Sequence, residues 1–166
     1  MSVIDYNGTG RWSVEAVQGR YEQYARTCGV KPLSDLTPCE HRAEGKHWIY
    51  PVMDRVIKGI ERGDPACAEI GIEFIEESVS FPFGMSMKSK VARLLGRVEL
   101  TDGQKWRIRR RVVVMLCTGC LPREFREYAK LARKIGLAPL IPQLEREADL
   151  SNPRVRRCFE YFKAES

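Results

Sequence analysis

Apolar side chains recur every three or four residues along most of the chain, and glycines and prolines interrupt that recurrence at short intervals. A period near 3.6 buries one face of each segment as a helix, so the pattern calls for helices packed on helices. Val14, Val17, Tyr21, Tyr24 and Cys28 trace the first such face, with Ser13 as its cap and Gly29 and the Lys31-Pro32 step at its end. A second helix runs from about Trp48 or Pro51 to Arg62, carries Val52, Val56 and Ile60 inward, and stops at Gly63. Asp64-Pro65 opens a third, because the carboxylate caps free N–H groups and proline fits the first helical position. That helix turns Ile70, Phe74 and Ile75 to the core, shows Glu73, Glu76 and Glu77 to solvent, and breaks at Phe81-Pro82-Phe83-Gly84.

A fourth helix spans about Met85 to Arg97. Thr101, three residues ahead of Gln104, makes the capping-box pattern for a fifth, from about Asp102 to Cys117. Pro122 begins a sixth that Gly136 ends. A short helix near Ile141–Ala148 and a last one from Pro153 to Lys163, capped by Ser151 or Asn152, complete the pattern. No strand pair is evident.

The expected fold class is therefore all-α, with about 7–8 helices in consecutive antiparallel hairpins. Residues 1–11 are expected to form a flexible tail, and 12–166 a single helical domain with a long loop over 31–47. A shift of 38 residues lays Asp64 on Asp102, Ile70 on Ile108 and Gly84 on Pro122. Over about 64–136 this spacing resembles a short HEAT-like array of two-helix repeats; an irregular helical bundle fits the same pattern.

The formal charge is +6, and it is unevenly spread. From Glu61 to Glu77 six acids meet one base; from Lys88 to Lys134 fourteen bases meet four acids. In the sixth helix Arg123, Arg126, Lys130, Arg133 and Lys134 share an arc of about 100°, opposite Phe125, Tyr128, Ala129, Ala132 and Ile135. Arg107, Arg110 and Arg111 share one face of the fifth, and Lys88, Lys90, Arg93 and Arg97 crowd the fourth. Stacked as hairpins, these faces would merge into one field attractive to phosphates. Arginine in particular suits bidentate phosphate contacts. No zinc finger, RNP-type strand or GXXG loop accompanies the charge, so the expected contact is to the nucleic-acid backbone rather than to bases.

Cys117-Thr118-Gly119-Cys120 is a C-x-x-C between an aliphatic run and the helix that Pro122 opens, the order of a thioredoxin-like redox site. The same pair has the ligand spacing of half a zinc site, for which Cys39, His41 and His47 are the best second half, although the overall spacing fits no common zinc module. If Cys117 closes the fifth helix instead, the dipole there opposes a thiolate. No Ser-His-Asp order, G-x-S-x-G, H-E-x-x-H or glycine-rich phosphate loop is present. Trp12, Trp48 and Trp106 are expected to anchor the core, with base stacking beside the arginines open to Trp106.

The first residues lack the basic and apolar regions of a signal peptide, and no apolar run approaches the ~20 residues of a membrane span, so a cytoplasmic protein is expected. The functional expectation is a non-enzymatic, cofactor-free module that binds DNA, RNA or another polyanion through 85–136, using Lys88, Lys90, Arg93, Arg107, Arg110, Arg111, Arg123, Arg126, Lys130, Arg133 and Lys134. The alternatives are a helical-repeat adaptor that engages a protein partner or a second copy through acidic 61–77 and basic 88–134 faces, and a thiol or zinc protein using Cys117 and Cys120.

Overall fold

A computed structural model describes residues 1–78 and 82–164. The chain divides into two compact units, Met1–Val98 and a second beginning at Glu99, where a single domain from residue 12 was expected. Both are predominantly helical, and the first also carries a small sheet.

In the N-terminal unit the order is β1 (Ser2–Asp5), α1 (Val14–Thr27), β2 (Glu40–Ala43), β3 (Lys46–Ile49), α2 (Met53–Glu61), α3 (Pro65–Glu76) and α4 (Gly84–Leu95). The strands lie in the order β1-β3-β2, with β1 parallel to β3 (Val3 beside His47) and β2 antiparallel to it (His41 beside Trp48). The structure is mostly helical as expected, with a small sheet added to it: β1 lies where a tail was expected, and the 31–47 loop holds β2 and the start of β3. The β2–β3 hairpin turns on Glu44 and Gly45, both at positive φ (49° and 71°), the backbone that a two-residue turn between twisted strands requires. The anticipated break after α3 falls partly on 79–81, outside the described residues.

Helix α3 is the centre of this unit. Ile70, Ile72, Phe74 and Ile75 are all buried, and α1, α2 and α4 pack against it. Gly71 permits the close approach of α2 and α4, since a Cβ there would meet Ile60 Cδ1 at 2.7 Å and Val91 Cγ1 at 3.1 Å. Asp64 caps the helix as expected, accepting from the Ala66 N–H at 3.0 Å, and its other oxygen accepts from the Tyr21 hydroxyl (2.6 Å) and the Ser34 hydroxyl (2.7 Å). Tyr21 Oη in turn accepts from the N–H groups of Leu33 and Ser34 (3.0 and 2.9 Å). One buried carboxylate thus starts a helix and pins the loop before β2. Burial beside it pushes the Cys67 thiol up to about 12.

Glu73 is not solvated. It is 6% exposed, pairs with Arg11 (2.8 Å) and Arg20 (3.4 Å), and accepts from the Tyr24 hydroxyl. The Arg20 guanidinium also stands 4.7 Å from the Trp12 ring centre, and burial lowers its pKa against the opposing pull of Glu73. With Asp64 and Glu73 both drawn inside, the acidic 61–77 face is smaller than its composition suggests.

The C-terminal unit contains α5 (Asp102–Thr118), α6 (Phe125–Ile135), α7 (Ile141–Glu147) and α8 (Pro153–Lys163). Thr101 and Gln104 form the anticipated capping box, and Asn152 caps α8. Ile108, Val112, Leu116, Tyr128, Leu144, Val155 and Phe162 are among the buried side chains. Arg109 ties α5 to the end of α6, donating to the carbonyls of Ile135 (2.6 Å) and Gly136 (2.5 Å), where a cation also favours the helix dipole. Among the described residues no helix is long and apolar enough to cross a membrane.

Candidate polyanion-binding groove

Charge divides along the same boundary as the fold. Up to Val98 there are thirteen bases and thirteen acids; from Glu99 onward fifteen bases meet nine acids, so the whole formal surplus of +6 belongs to the C-terminal unit.

The expected contact residues fall into distinct groups. Lys88 must be removed from them: it is 6% exposed, its ammonium donates to the Glu77 carbonyl at 2.6 Å, and it sits 5.4 Å from the Phe74 ring centre. A lysine one turn from Val91 and Ala92 on α4 is carried into the core, where a carbonyl and a π face replace water. Lys90 and Arg93 belong to the N-terminal unit and line a groove of about 520 Å³ with Arg55, Lys58 and Arg97, but Asp54 and Glu61 share that lining.

On α5, Arg107, Arg110 and Arg111 do share a face, and it contains two exposed apolar residues, Trp106 and Val114. Trp106 is 45% exposed rather than a core anchor; Trp12 is the tryptophan that is fully buried, and Trp48 is half-buried under a stacked His41 ring at 5.4 Å.

The strongest concentration lies between α6 and α8. A groove of about 600 Å³ is lined by Arg123, Arg126 and Lys130 from one side and Arg154 and Arg157 from the other, with Leu121, Pro122, Phe125, Ala129, Cys158 and Tyr161 between them. No carboxylate of the described residues lines it. Arg126, Ala129 and Lys130 project from one side of α6; Arg154, Arg157, Cys158 and Tyr161 follow the three- and four-residue spacing of one face of α8. Arg123 precedes α6, in the turn that Pro122 opens. Arg123, Arg126 and Arg157 form no ion pair with a described carboxylate, while Lys130 meets Glu127 at 3.3 Å in an exposed pair of little energetic weight. Arg154 Nη2 donates to the Leu121 carbonyl at 2.7 Å and so bridges the two walls. Arg133 lies 4.2 Å from the Tyr161 ring centre, fixing that ring at the edge of the groove; Lys134 is exposed on the last turn of α6.

Arg154, Arg157 and Tyr161 are the residues that the basic window ending at Lys134 leaves out. Their spacing marks one helix face in the sequence, but only tertiary packing sets that face opposite α6.

The C-x-x-C does not take up a redox geometry. Cys117 is in the last turn of α5, Gly119 (φ 70°) ends that helix, and α6 begins only at Phe125, so Cys120 has no helix N-terminus beside it. Burial first and Glu147 second push the Cys117 thiol up, away from the reactive thiolate. Cys39, His41 and His47 are likewise engaged elsewhere or apart: Cys39 is exposed, His41 stacks on Trp48, and His47 Nε2 pairs with Glu40 at 2.8 Å. Among the described residues no three His, Cys, Asp or Glu side chains converge as metal ligands. No family model matches the chain, and no curated protein or solved structure matches it significantly.

Proposed function

We propose that this chain is a non-enzymatic nucleic-acid-binding module whose phosphate contacts are concentrated in its C-terminal unit. One observation carries the proposal: the entire surplus of positive charge lies beyond Val98, and five of those cations line one groove that no carboxylate of the described residues lines. Cations held that close together repel one another, and a bound polyanion relieves the repulsion while releasing its own condensed counterions. Arg123, Arg126, Lys130, Arg133 and Lys134 are the proposed contacts on and beside α6, with Arg107, Arg110 and Arg111 on α5. Lys90 and Arg93 make a weaker, partly neutralised site in the N-terminal unit. A cytoplasmic location is part of the same proposal.

The test is retention on heparin and a gel shift with DNA and RNA, for the wild type and for the triple variant Arg126→Glu, Lys130→Glu, Arg133→Glu. Loss of both signals with an unchanged circular dichroism spectrum supports the proposal; unchanged retention and shifts refute it. The second reading, a protein-interaction adaptor built from antiparallel helical hairpins, is favoured by one feature, the exposed Trp106 and Val114 on α5. A Trp106→Ala change that abolishes co-purification of a defined protein, in a chain without salt-sensitive nucleic-acid binding, selects it.

A further inference from the structure

The α6–α8 groove carries a more specific assignment, which rests on the nucleic-acid proposal above. We infer that it is a cleft for single-stranded nucleic acid, with the phosphodiester chain running along the arginine rims and an unpaired base seated on Ala129 and the Tyr161 ring.

Three features of the groove select that occupant. Its rims are cationic on both sides, with Arg123 and Arg126 facing the Arg154 and Arg157 wall, so a phosphate chain entering it is contacted from two directions. Its floor is apolar and includes a half-buried aromatic ring. In a duplex the flat faces of the bases are hidden in the stack and only their edges are presented, so a duplex resting on the rims gains nothing from that floor. A single strand offers both a phosphate for the rim and a π face for the ring, the combination by which sequence-tolerant single-strand sites work. An acidic peptide matches the rims but offers no planar face to the ring.

The groove is also held in shape before anything binds. The Arg154–Leu121 hydrogen bond joins the two walls, and the Arg133 guanidinium stands over one face of the Tyr161 ring and fixes its orientation, so the base is assigned to the other face. A preset platform loses less side-chain freedom on binding than a mobile one. Arg157 and Tyr161 are therefore assigned as ligand contacts, and Arg133 and Arg154 as positioning residues in addition to their charge.

The test is fluorescence anisotropy with the full chain, using a short labelled single strand of mixed sequence, the matching duplex, and polyglutamate as competitor. The single strand is expected to bind at least tenfold more tightly than the duplex at equal salt. Tyr161→Ala should weaken single-strand binding about tenfold, the effect of losing one stacked base, and leave the salt dependence unchanged. Tyr161→Phe should restore it, which separates stacking from the phenol hydroxyl and from any loss of fold. Arg157→Gln, at an exposed position, should lower both affinity and the slope of log affinity against log salt, by about 0.7 for one lost phosphate contact. Equal affinity for duplex and single strand, wild-type single-strand affinity in both Tyr161→Ala and Arg157→Gln, or displacement by polyglutamate at matched charge each overturns the cleft. If the α6 triple variant still abolishes binding in those cases, the broader proposal stands without it; if no nucleic acid binds the wild type, both fall.

Discussion

The two units of this protein carry similar numbers of charged side chains and use them in opposite ways. In the N-terminal unit bases and acids are equal in number, and several are drawn into the core. Glu73 holds Arg11, Arg20 and Tyr24; Asp64 caps α3 and ties Tyr21 and Ser34 to it; the Lys88 ammonium is bound by a backbone carbonyl. In the C-terminal unit bases outnumber acids, and Arg123, Arg126 and Arg157 stand around an open groove without a described carboxylate partner. Charge that is neutralised internally serves the fold, because an uncompensated buried ion costs several kcal/mol. Charge left over at a concave surface is what the proposed phosphate contacts require, because it has no internal counter-charge to satisfy it.

That contrast can be broken most easily by reversing charges in each unit. Arg123→Glu, Arg126→Glu and Arg157→Glu together should lower affinity for a single strand by roughly 1,000-fold, about 4 kcal/mol, with unfolding free energy changed by less than about 0.5 kcal/mol. Lys31→Glu and Arg62→Glu, both exposed in the N-terminal unit, should change affinity less than about tenfold in the same binding assay. The opposite ranking would show that net charge does not locate the site. The next effect runs the other way. Glu73→Ala leaves the half-buried Arg20 without its carboxylate and should cost about 2 kcal/mol in urea unfolding, while affinity for the oligonucleotide stays the same.

A smaller effect is read from the pH dependence of stability. Cys67, in the N-terminal unit, has its thiol pushed from an ordinary 9.0 up to about 12, so folding favours the neutral form. Its contribution is fully present below pH 9 and is lost as the pH rises from there through about 12, because the unfolded chain ionises first. Cys67→Ala should reduce that alkaline fall in stability, measured as the urea midpoint against pH. Tyr128, in the C-terminal unit, is shifted upward by burial from 10.0, so its loss begins about one pH unit later. The Cys67→Ala stability curve should accordingly fall less steeply above pH 9 than that of the wild type, with the upward-shifted Cys117 and Cys158 keeping part of the fall.

Much of the helical framework is legible in the sequence because the signals are local. Ser13, Asp64, Thr101 and Asn152 each cap the helix they precede, and a cap depends on N–H groups only two or three residues away. The sheet is not legible in this way. Each strand is four residues long, Glu40–Ala43 is largely polar, and β1 is stabilised by pairing with β3, far along the chain. Glu73 reads as solvated because its partners, Arg11 and Arg20, belong to segments that only tertiary packing brings to α3. Lys88 is missed for the same reason. At the candidate groove the α6 stripe is visible in the sequence, and so is the Arg154-Arg157-Tyr161 spacing. Their opposition across a cleft is a fact of packing between helices, for which no short motif stands.

The most direct measurement is the salt dependence of single-strand affinity, taken for the wild type and for single Arg→Gln changes at Arg123, Arg126 and Arg157 beside the exposed Arg62→Gln. Phosphate neutralisation by the groove predicts a wild-type slope of log affinity against log salt of about −3, reduced by about 0.7 for each groove arginine removed and unaffected by Arg62→Gln. A salt-independent affinity, or equal reductions from substitutions in the two units, would contradict the claim that the surplus charge of the C-terminal unit exists to meet phosphates.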